Sequence, residues 1–300
     1  MLARSATELP SGERWAFEVK WDGFRALVHA HGRRVRLQSR KGNDLTALFP
    51  ELQSIASRLE PGTVVDGEIV AFGADGRPDF ERLQRLGASG RRLSEIAAAH
   101  PVRLVAFDLP VLAGRSLCAR QWSERKDRLA ALRLDGAPAW VPPHHLGDGT
   151  PLQALTRELR LEGVVAKRVD GRYEPGRRTG AWRKIKNWQQ IELVVGGWVP
   201  GEDGGPASLL LGEPCADGRV RWACVAELGL FGELRRALAA VLPDLAVGES
   251  PFADRARVPG ARWVQPLVRV RCQYLERTAS GRLRHVLLLG LCVNGVSPAA

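Results

Sequence analysis

The sequence has few cysteines and no long apolar run. Five cysteines are spread over 300 residues, and none belongs to a C-x-x-C pair. This pattern argues against a disulfide framework and against a zinc site built from cysteine. No segment approaches the roughly 20 consecutive apolar residues of a membrane span, and the first residues lack the apolar core of a signal peptide. We therefore expect a soluble, cytoplasmic protein with reduced thiols and no membrane contact.

Acidic residues are outnumbered by basic ones. The chain carries 44 Lys and Arg against 33 Asp and Glu, a net charge of +11. Such a charge predicts attraction to polyanions, first to nucleic acid and second to acidic membrane surfaces. Because 45% of the residues are hydrophobic and 26% are charged, as in ordinary globular proteins, disorder, collagen and coiled coil are excluded.

The hydrophobic pattern predicts two domains, 1–188 and 189–300. In the first, β-runs alternate with helices, which favours an α+β domain. Apolar residues at helical spacing over 49–59 and a capping-box pattern from Thr150 to Gln153 mark two of these helices. In the second, about five strands and one helix near 232–242 fit a small OB-fold barrel, which commonly binds nucleic acid. The predicted strands are 15–20, 26–30, 35–39, 64–72, 102–109, 163–168, 182–187, 191–199, 208–211, 220–227, 263–275 and 282–291.

One charged segment, E-V-K-W-D-G-F-R from Glu18 to Arg25, interrupts the first strands. Its Asp-Gly pair is typical of a β-hairpin turn, in which Lys20 and Arg25 would be solvated flanks. The alternative is a reactive lysine. A free lysine is almost fully protonated at neutral pH, and neighbouring cations or a metal lower its pKa so that it can attack.

Further charged residues stand where a solvated side chain is not expected. Glu68 and Glu162 adjoin apolar β-runs, where an unpaired carboxylate is costly, so a ligand or a metal is favoured there. Lys184 and Lys186 project from one face of a strand and favour an anion between them. Phe107 lies in an apolar run, and its spacing alone is more typical of a core residue.

These segments, in this order, resemble the ATP-dependent DNA ligases, a family of covalent nucleotidyltransferases. The elements that carry the resemblance are K-x-D-G-x-R at 20–25, S-R-K-G-N-D at 39–44, D-G-E at 66–68, F-D at 107–108, E-G-V-V-A-K at 162–167 and K-I-K at 184–186. Further pieces, such as F-P-E-L at 49–52 and Y-E-P-G-R-R at 173–178, resemble the ligase module of bacterial non-homologous end joining. The resemblance implies an adenylation (nucleotidyltransferase) domain of mixed antiparallel sheets with flanking helices, followed by an OB-fold barrel.

The resemblance also implies roles for single residues. Lys20 is the residue that would become adenylylated, with Lys184 and Lys186 as the other catalytic residues. Phe107 would stack on adenine, Arg25 would contact the ribose, and the same cations would stabilise charge on the phosphates. The implied nucleotide contacts are Glu18, Lys20, Arg25, Arg40, Glu68, Phe107, Lys167, Lys184 and Lys186, and the implied ligands of Mg²⁺ or Mn²⁺ are Glu68 and Glu162.

The expected activity is sealing of 3′-hydroxyl/5′-phosphate nicks or breaks in duplex DNA with ATP. The reaction would pass through a lysyl-AMP and then a DNA-adenylate, in DNA repair and recombination by end joining. An arginine-rich surface would hold the DNA backbone without reading its sequence. Expected partners are nicked or broken duplex DNA and a Ku-like end-binding protein, with the chain a nucleoid-associated monomer.

One departure from the family pattern leaves two alternatives open. Cys292 and Asn294 stand where an Arg-x-Asp element is expected, and that element would act on the pyrophosphate of ATP during the first step. We therefore expect a ligase with a slower first step. The alternatives are a catalytically impaired scaffold that binds DNA, and an RNA ligase that uses the same chemistry.

Overall fold

The structure is a computed structural model that describes residues 1–88, 101–136, 138–215, 219–254, 258–278 and 280–292. The expectation for Asn294 therefore lies outside the described residues. The chain divides into two compact units, Met1–Asn187 and a second unit that begins at Trp188.

The first unit contains two β-sheets and the helices that cover them. Its strands are β1 (Leu2–Ala6), β2 (Trp15–Val19), β3 (Phe24–His31), β4 (Arg34–Ser39), β5 (Val64–Ala71), β6 (Val102–Leu112), β7 (Arg115–Ser116), β8 (Ala139–Trp140), β9 (His145–Leu146), β10 (Gly163–Arg168) and β11 (Arg178–Lys186). Its helices are α1 (Phe80–Ala88), α2 (Trp122–Ala131) and α3 (Thr150–Glu158), with 3-10 helices at Thr46–Leu48 and Pro50–Arg58.

Strand order brings distant parts of the chain side by side. A five-stranded sheet has the order β1-β11-β10-β2-β9, and a six-stranded sheet has the order β4-β3-β5-β6-β7, with β8 paired to β6. Strand β10 pairs antiparallel with both β2 and β11, while β1 joins β11 in parallel. The segment between β2 and β3 therefore connects one sheet to the other.

Each sheet of the first unit has its own apolar core. The larger core covers the six-stranded sheet, and the buried side chains Phe49, Leu52 and Ile55 of the 49–59 segment belong to it. The smaller core packs Leu152 of α3 against Phe17 and its neighbours on the five-stranded sheet. Burial of these apolar faces fixes the sheets, and hence the charged residues on them.

Two helix predictions need correction. The 50–58 segment buries the predicted face but is a 3-10 helix, in which the Ser54 and Ser57 hydroxyls donate to carbonyls three residues back, a competition that disfavours regular α-helix. The predicted capping box was wrong. Thr150 is already helical, Gly149 is the N-cap residue, and the Asp148 carboxylate accepts a hydrogen bond from the Thr150 amide at 2.9 Å.

Over its described residues, the second unit is a curled sheet with one α-helix, α4 (Gly232–Val241), and a 3-10 helix at Leu242–Leu245. Its strands are β12 (Gln189–Pro200), β13 (Pro206–Pro214), β14 (Val220–Ala226), β15 (Ala246–Val247), β16 (Arg262–Val264), β17 (Arg269–Tyr274), β18 (Glu276–Arg277), β19 (Leu283–Arg284) and β20 (Leu287–Leu291). They run in the order β14-β13-β12-β16-β15, and β17 pairs with β12 and β20, while β18 and β19 form a separate hairpin.

Two predicted strands of the second unit are each divided. The 263–275 run becomes β16 and β17, because Pro266 has no amide to donate to a ladder and the Leu267 amide turns back to the Gln265 carbonyl. The 282–291 run becomes β19 and β20, which are separated at His285, where the backbone is left-handed (φ 55°). The curled sheet is of the OB type.

Candidate active site

The loop after β2 is tied to the strand that begins at Gly163. The Lys20 amide donates to the Gly163 carbonyl at 2.9 Å, so the lysine stands directly beside that strand. Three residues later the loop passes very close to β5, since a Cβ at Gly23 would lie 2.2 Å from the Ile69 carbonyl oxygen. Only glycine permits this approach, because a side chain at position 23 would clash with β5. The approach fixes the backbone of the loop that carries Lys20.

The Lys20 ammonium forms an ion pair with Glu162. Oε2 of Glu162 contacts Nζ of Lys20, and Oε1 lies 3.1 Å from Nζ of Lys186. Burial opposes ionisation of this carboxyl, but its attraction to Lys20 and Lys186 is stronger and lowers the pKa of Glu162. One carboxylate thus holds two ammonium groups that would otherwise repel each other.

Strand register aligns further charged residues on the same face. Val165 pairs with Glu18 of β2 on one side and with Lys184 of β11 on the other. Lys167 pairs with Trp182 one step along. Burial, followed by repulsion from Lys186 and Lys20, lowers the pKa of Lys184. Alternation along these strands therefore gathers cations at one end of the sheet.

Glu18 is the centre of a buried charged cluster. Its Oε1 accepts from Lys126 at 2.6 Å and its Oε2 from Lys167 at 2.5 Å. All three side chains are almost completely buried. Burial favours the neutral carboxyl, but attraction to Lys167 and Lys126 prevails and lowers the pKa of Glu18.

Arg25 is held by Asp66 and two aromatic rings. Its guanidinium makes two hydrogen bonds to the Asp66 carboxylate, at 3.0 and 2.6 Å, and Tyr173 donates its hydroxyl to the same carboxylate at 2.8 Å. Cζ of Arg25 is 5.5 Å from the Phe107 ring centroid and 5.6 Å from that of Trp182. Burial is opposed by the Asp66 charge, and the pKa of Arg25 is raised.

Glu68 lies beside these cations without a direct partner. Within the ranges that the structure describes, no hydrogen bond or ion pair reaches its carboxylate, although Arg25 is its cross-strand neighbour. Burial raises the pKa of Glu68 to about 8; Lys20 and Arg25 oppose this shift, while Asp66 and Glu162 add to it. Such a carboxyl suits a cationic ligand, because a cation would compensate the buried charge.

Phe107 lines a cleft, whereas its neighbour Asp108 lies in the interior. Phe107 is half-buried, and its carbonyl accepts from Lys167 at 3.2 Å. Asp108 is fully buried and binds the Arg125 guanidinium at 2.7 and 2.9 Å. Only the phenylalanine of this motif faces the cleft, whereas the aspartate anchors α2.

A cleft of about 720 Å³ collects most of the predicted site residues. Its lining includes Glu18, Lys20, Arg25, Arg40, Glu68, Phe107, Lys167 and Lys184. Glu162 joins this group through its ion pair with Lys20, and Lys186 joins it through its ion pair with Glu162. Cations, two carboxylates and an aromatic ring in one cleft are suited to a nucleotide: a base, a ribose and phosphates.

Sequence reasoning did not identify three supporting residues. Lys126 belongs to no recognised motif, and neither the contact of Asp66 with Arg25 nor that of Tyr173 with Asp66 could be read from spacing. The only signal in the sequence was the pair of charged residues, Arg125 and Lys126, on the otherwise apolar buried face of α2, where solvated side chains are not expected.

The second unit carries one of the two residues that depart from the family pattern. Cys292 is half-buried after β20, and its amide donates to the Arg269 carbonyl at 2.9 Å. This residue continues the edge of the curled sheet. Its companion in the expected element, Asn294, lies outside the described residues.

No group of three or more His, Cys, Asp or Glu side chains in the described ranges is arranged to hold a metal ion. Over the same part of the chain, no helix is both long enough and apolar enough to span a membrane.

Comparison with known proteins agrees with the fold. The family model "ATP dependent DNA ligase domain" matches residues 1–186, and "ATP dependent DNA ligase C terminal region" matches residues 202–291. The multifunctional non-homologous end joining DNA repair protein LigD of Mycobacterium tuberculosis is 38% identical over 285 residues, which cover 93% of this chain and 36% of LigD. The chain thus spans about a third of that relative.

Two further similarities concern proteins or structures of nearer length. DNA ligase C2 of Mycolicibacterium smegmatis is 36% identical over 253 residues, 82% of this chain and 70% of that ligase. A solved structure of mycobacterial DNA ligase D complexed with ATP and MES is 36% identical, with a TM-score of 0.58 over 98% of this chain and 94% of that one.

The fold and the cleft define a nucleotidyltransferase-type ligase: mixed sheets with few helices, and a curled sheet of the OB type. More specifically, the chain belongs to the ATP-dependent DNA ligase family, and its relatives include LigD proteins of non-homologous end joining.

Proposed function

We propose that this chain seals 3′-hydroxyl/5′-phosphate nicks or breaks in duplex DNA, with ATP as co-substrate, in repair and recombination by end joining. The observation that carries the proposal is the placement of Lys20 in the cleft, where it pairs with Glu162 and neighbours a row of cations. Family membership supports the same activity.

In the first step, Lys20 is the nucleophile. Its amine attacks the α-phosphorus of ATP, so that an N–P bond forms and the P–O bond to pyrophosphate breaks. The proton that the ammonium must lose has an acceptor in contact, the Glu162 carboxylate. Lys184 and Lys186 stabilise the charge that builds on the phosphate oxygens.

In the later steps, the AMP group moves from Lys20 to the 5′-phosphate of DNA and then leaves. The 5′-phosphate oxygen displaces the lysine nitrogen from phosphorus. The 3′-hydroxyl then attacks the 5′-phosphorus, and AMP is released as the new phosphodiester forms. The role of the protein is to position the reactants and neutralise charge.

Recognition of the nucleotide is shared along the cleft. We assign adenine stacking to Phe107, ribose contact to Arg25 and phosphate contact to Arg40, with Glu18 and Lys167 near the ring of Phe107. The distance of 4.6 Å from Nζ of Lys167 to the Phe107 ring centroid supports their placement at one end of the cleft.

A divalent cation, Mg²⁺ or Mn²⁺, fits the carboxylates of this site. Glu68 offers a carboxylate that has no ion pair in the described ranges and a pKa of about 8, and Glu162 is the second candidate. Mg²⁺ is commonly held by one or two carboxylates together with substrate phosphates and water. Bound there, the ion would neutralise phosphate charge.

We assign nucleotide chemistry to 1–188 and DNA binding to the OB-type domain at 189–300. The net charge of +11 supports contact with backbone phosphates, and 1–188, with 32 Lys and Arg against 22 Asp and Glu, carries most of it. The proposal for 189–300 is based on its OB-type sheet. The same activity would place the chain with nucleoid DNA. An end-binding protein of the Ku type is the proposed partner, since several relatives are named for non-homologous end joining, and a monomer is the proposed state.

The decisive experiment incubates the chain with α-labelled ATP and Mg²⁺ or Mn²⁺, beside Lys20→Ala. Label on the protein that is acid-labile and absent from the variant is expected. A melting curve for each protein shows that the variant is folded. A nick that already carries a 5′-AMP tests the later steps on DNA and on RNA strands. Sealing of that nick without label transfer from ATP would indicate an impaired first step, whereas neither label nor sealing would refute the proposal.

A further inference from the structure

The short connection 159–162, which carries Glu162, has an unusual backbone. It joins α3, which ends at Glu158, to β10, which begins at Gly163. Arg160 is left-handed (φ 55°), a conformation that residues other than glycine rarely adopt, and Gly163 has a φ of 145°. A Cβ at Gly163 would lie 2.1 Å from the Ile185 carbonyl oxygen. Such a backbone persists only where contacts with other parts of the chain hold it.

Asn187 holds both peptide groups that flank Glu162. Its Nδ2 donates to the Leu161 carbonyl at 3.0 Å, and its backbone amide donates to the Glu162 carbonyl at 2.9 Å. Because a residue has only two soft backbone torsions, fixing the peptide groups on either side of Glu162 fixes the direction of its side chain. That side chain contacts Lys20 through Oε2, and its Oε1 lies 3.1 Å from Nζ of Lys186.

The side chain of Asn187 is itself anchored on α3. Its Nδ2 also donates to the hydroxyl of Thr156 at 3.0 Å, and that fully buried hydroxyl donates to the Gln153 carbonyl at 2.9 Å. Both donors of the amide are thus used. Its Oδ1, in contrast, is buried and accepts no hydrogen bond within the described ranges. An unpaired buried acceptor costs stability, so the contribution of this asparagine is its two donors.

We propose that Asn187 is a positioning residue for the first step, because it holds the Glu162 carboxylate where that group can take a proton from the Lys20 ammonium. The proton passes from Nζ of Lys20 to Oε2 of Glu162, and the freed lone pair on nitrogen attacks phosphorus. This inference rests on the proposed function, in which Glu162 is the proton acceptor. Asn187 is not among the described residues that line the cleft. It therefore acts through Glu162 and not on the nucleotide.

The test measures the rate of label transfer from α-labelled ATP with Mg²⁺ at saturating nucleotide, and the ATP concentration that gives half of this rate. Asn187→Leu keeps the size of the side chain but removes both donors. Its expected effect is a loss of about tenfold in the saturating rate, because a misplaced carboxylate accepts the proton poorly. The half-saturating ATP concentration should stay within about threefold of wild type.

The matched control is Gln53→Leu. The amide of Gln53 likewise holds backbone groups of a strand, since it binds the amide and the carbonyl of Val35 at 3.1 and 2.8 Å. Val35 belongs to β4 of the other sheet, and neither residue lines the cleft in the described part of the chain. This variant should leave both kinetic quantities unchanged, and melting curves show how far each substitution lowers stability.

A double-mutant cycle with Glu162→Gln separates positioning from a general loss of structure. A glutamine at this position cannot accept the proton, so Asn187→Leu should cost no more than about twofold further in that background. The inference would be overturned if the two losses multiplied, if Asn187→Leu left the saturating rate unchanged, or if it raised only the half-saturating concentration.

Two further outcomes are distinguished. If the melting curve shows that Asn187→Leu is unfolded, Asn187→Ser replaces it, because the shorter serine cannot reach both acceptors. A wild-type chain that takes up no label on Lys20 would refute the proposed function, and this inference with it. Labelled wild type together with an unaffected Asn187 variant would refute the inference alone.

Discussion

The ammonium of Lys20 is paired with the carboxylate of Glu162, although 142 positions separate the two residues in the chain. Backbone hydrogen bonding between the Lys20 amide and Gly163 supports the same contact. The pair therefore depends on the sheet that joins β2 to β10, and Glu162 also reaches Lys186. Changes at Glu162 should act on the reactivity of the lysine.

Glu162→Gln is expected to reduce transfer of label from α-labelled ATP by about tenfold or more, because the amide cannot accept the proton that Lys20 must lose before it attacks. The matched control is Glu174→Gln, which removes an exposed pair with Arg177 at 3.5 Å. The initial rate of protein labelling measures both. Equal rates for the two variants would show that the contact with Lys20 has no part in the reaction.

Glu68→Gln should gain thermal stability relative to the parent chain as pH rises. The pKa of Glu68 is raised to about 8 from its ordinary 4.5. Because this carboxyl has a raised pKa in the folded chain, the fold is most stable below the ordinary pKa of 4.5. It loses stability as pH rises through the folded pKa of about 8. Melting temperatures in EDTA, at about pH 5 and about pH 9, should differ more between the two chains at the higher pH.

Magnesium supplies the control for this effect. Added at about pH 9, Mg²⁺ should raise the melting temperature of the parent chain more than that of Glu68→Gln, since metal binding favours the ionised carboxylate. A difference in melting temperature that does not depend on pH would contradict the assignment of the shift to Glu68.

Tyr173→Phe is expected to lower the free energy of unfolding by about 2 kcal/mol, because the buried Asp66 carboxylate loses a hydrogen bond. The chain offers one other tyrosine as a control. Tyr274→Phe removes a 2.8 Å bond to the neutral Gln189 side chain and should cost about 1 kcal/mol. Urea unfolding of both variants gives the comparison, and a larger loss for Tyr274→Phe would be the opposite of what we expect.

Arg125→Met should destabilise the first unit by about 3–5 kcal/mol, since it leaves the buried Asp108 carboxylate without its partner. Arg125 and Asp108 are both fully buried. On the same helix, Arg128→Met breaks an exposed pair with Glu124 and should change stability by no more than about 0.5 kcal/mol. Similar unfolding midpoints for the two variants would argue against a structural role for the buried pair.

The sequence was informative where apolar alternation was strong. The predicted strand at 163–168 coincides with β10, and the other runs of the first unit overlap strands with ends that differ by a few residues. Helix α2 was not predicted, because two of its buried positions are Arg125 and Lys126, and charged residues hide an apolar periodicity. Their partners, Asp108 and Glu18, are distant in sequence.

The residues of the candidate site could be predicted from the sequence only in part, for a similar reason. The order of short motifs identified Lys20, Glu68 and Lys184, since each motif is local. Tyr173 contacts Asp66 across 107 positions of the chain, and Lys126 contacts Glu18 across 108 positions. Spacing within a motif contains no information on such pairs, which arise from the pairing of sheets.

The parallel pairing of β1 with β11 has a consequence for folding of the nascent chain during translation. During synthesis, Lys20, the proposed nucleophile, leaves the ribosome long before Glu162, Lys184 and Lys186. The five-stranded sheet cannot close until β11 has emerged, and contacts of such long range form slowly. A ribosome-bound fragment that ends before β11 therefore carries Lys20 without the β11 residues that line the cleft, and the candidate site is assembled only when the whole first unit has been translated.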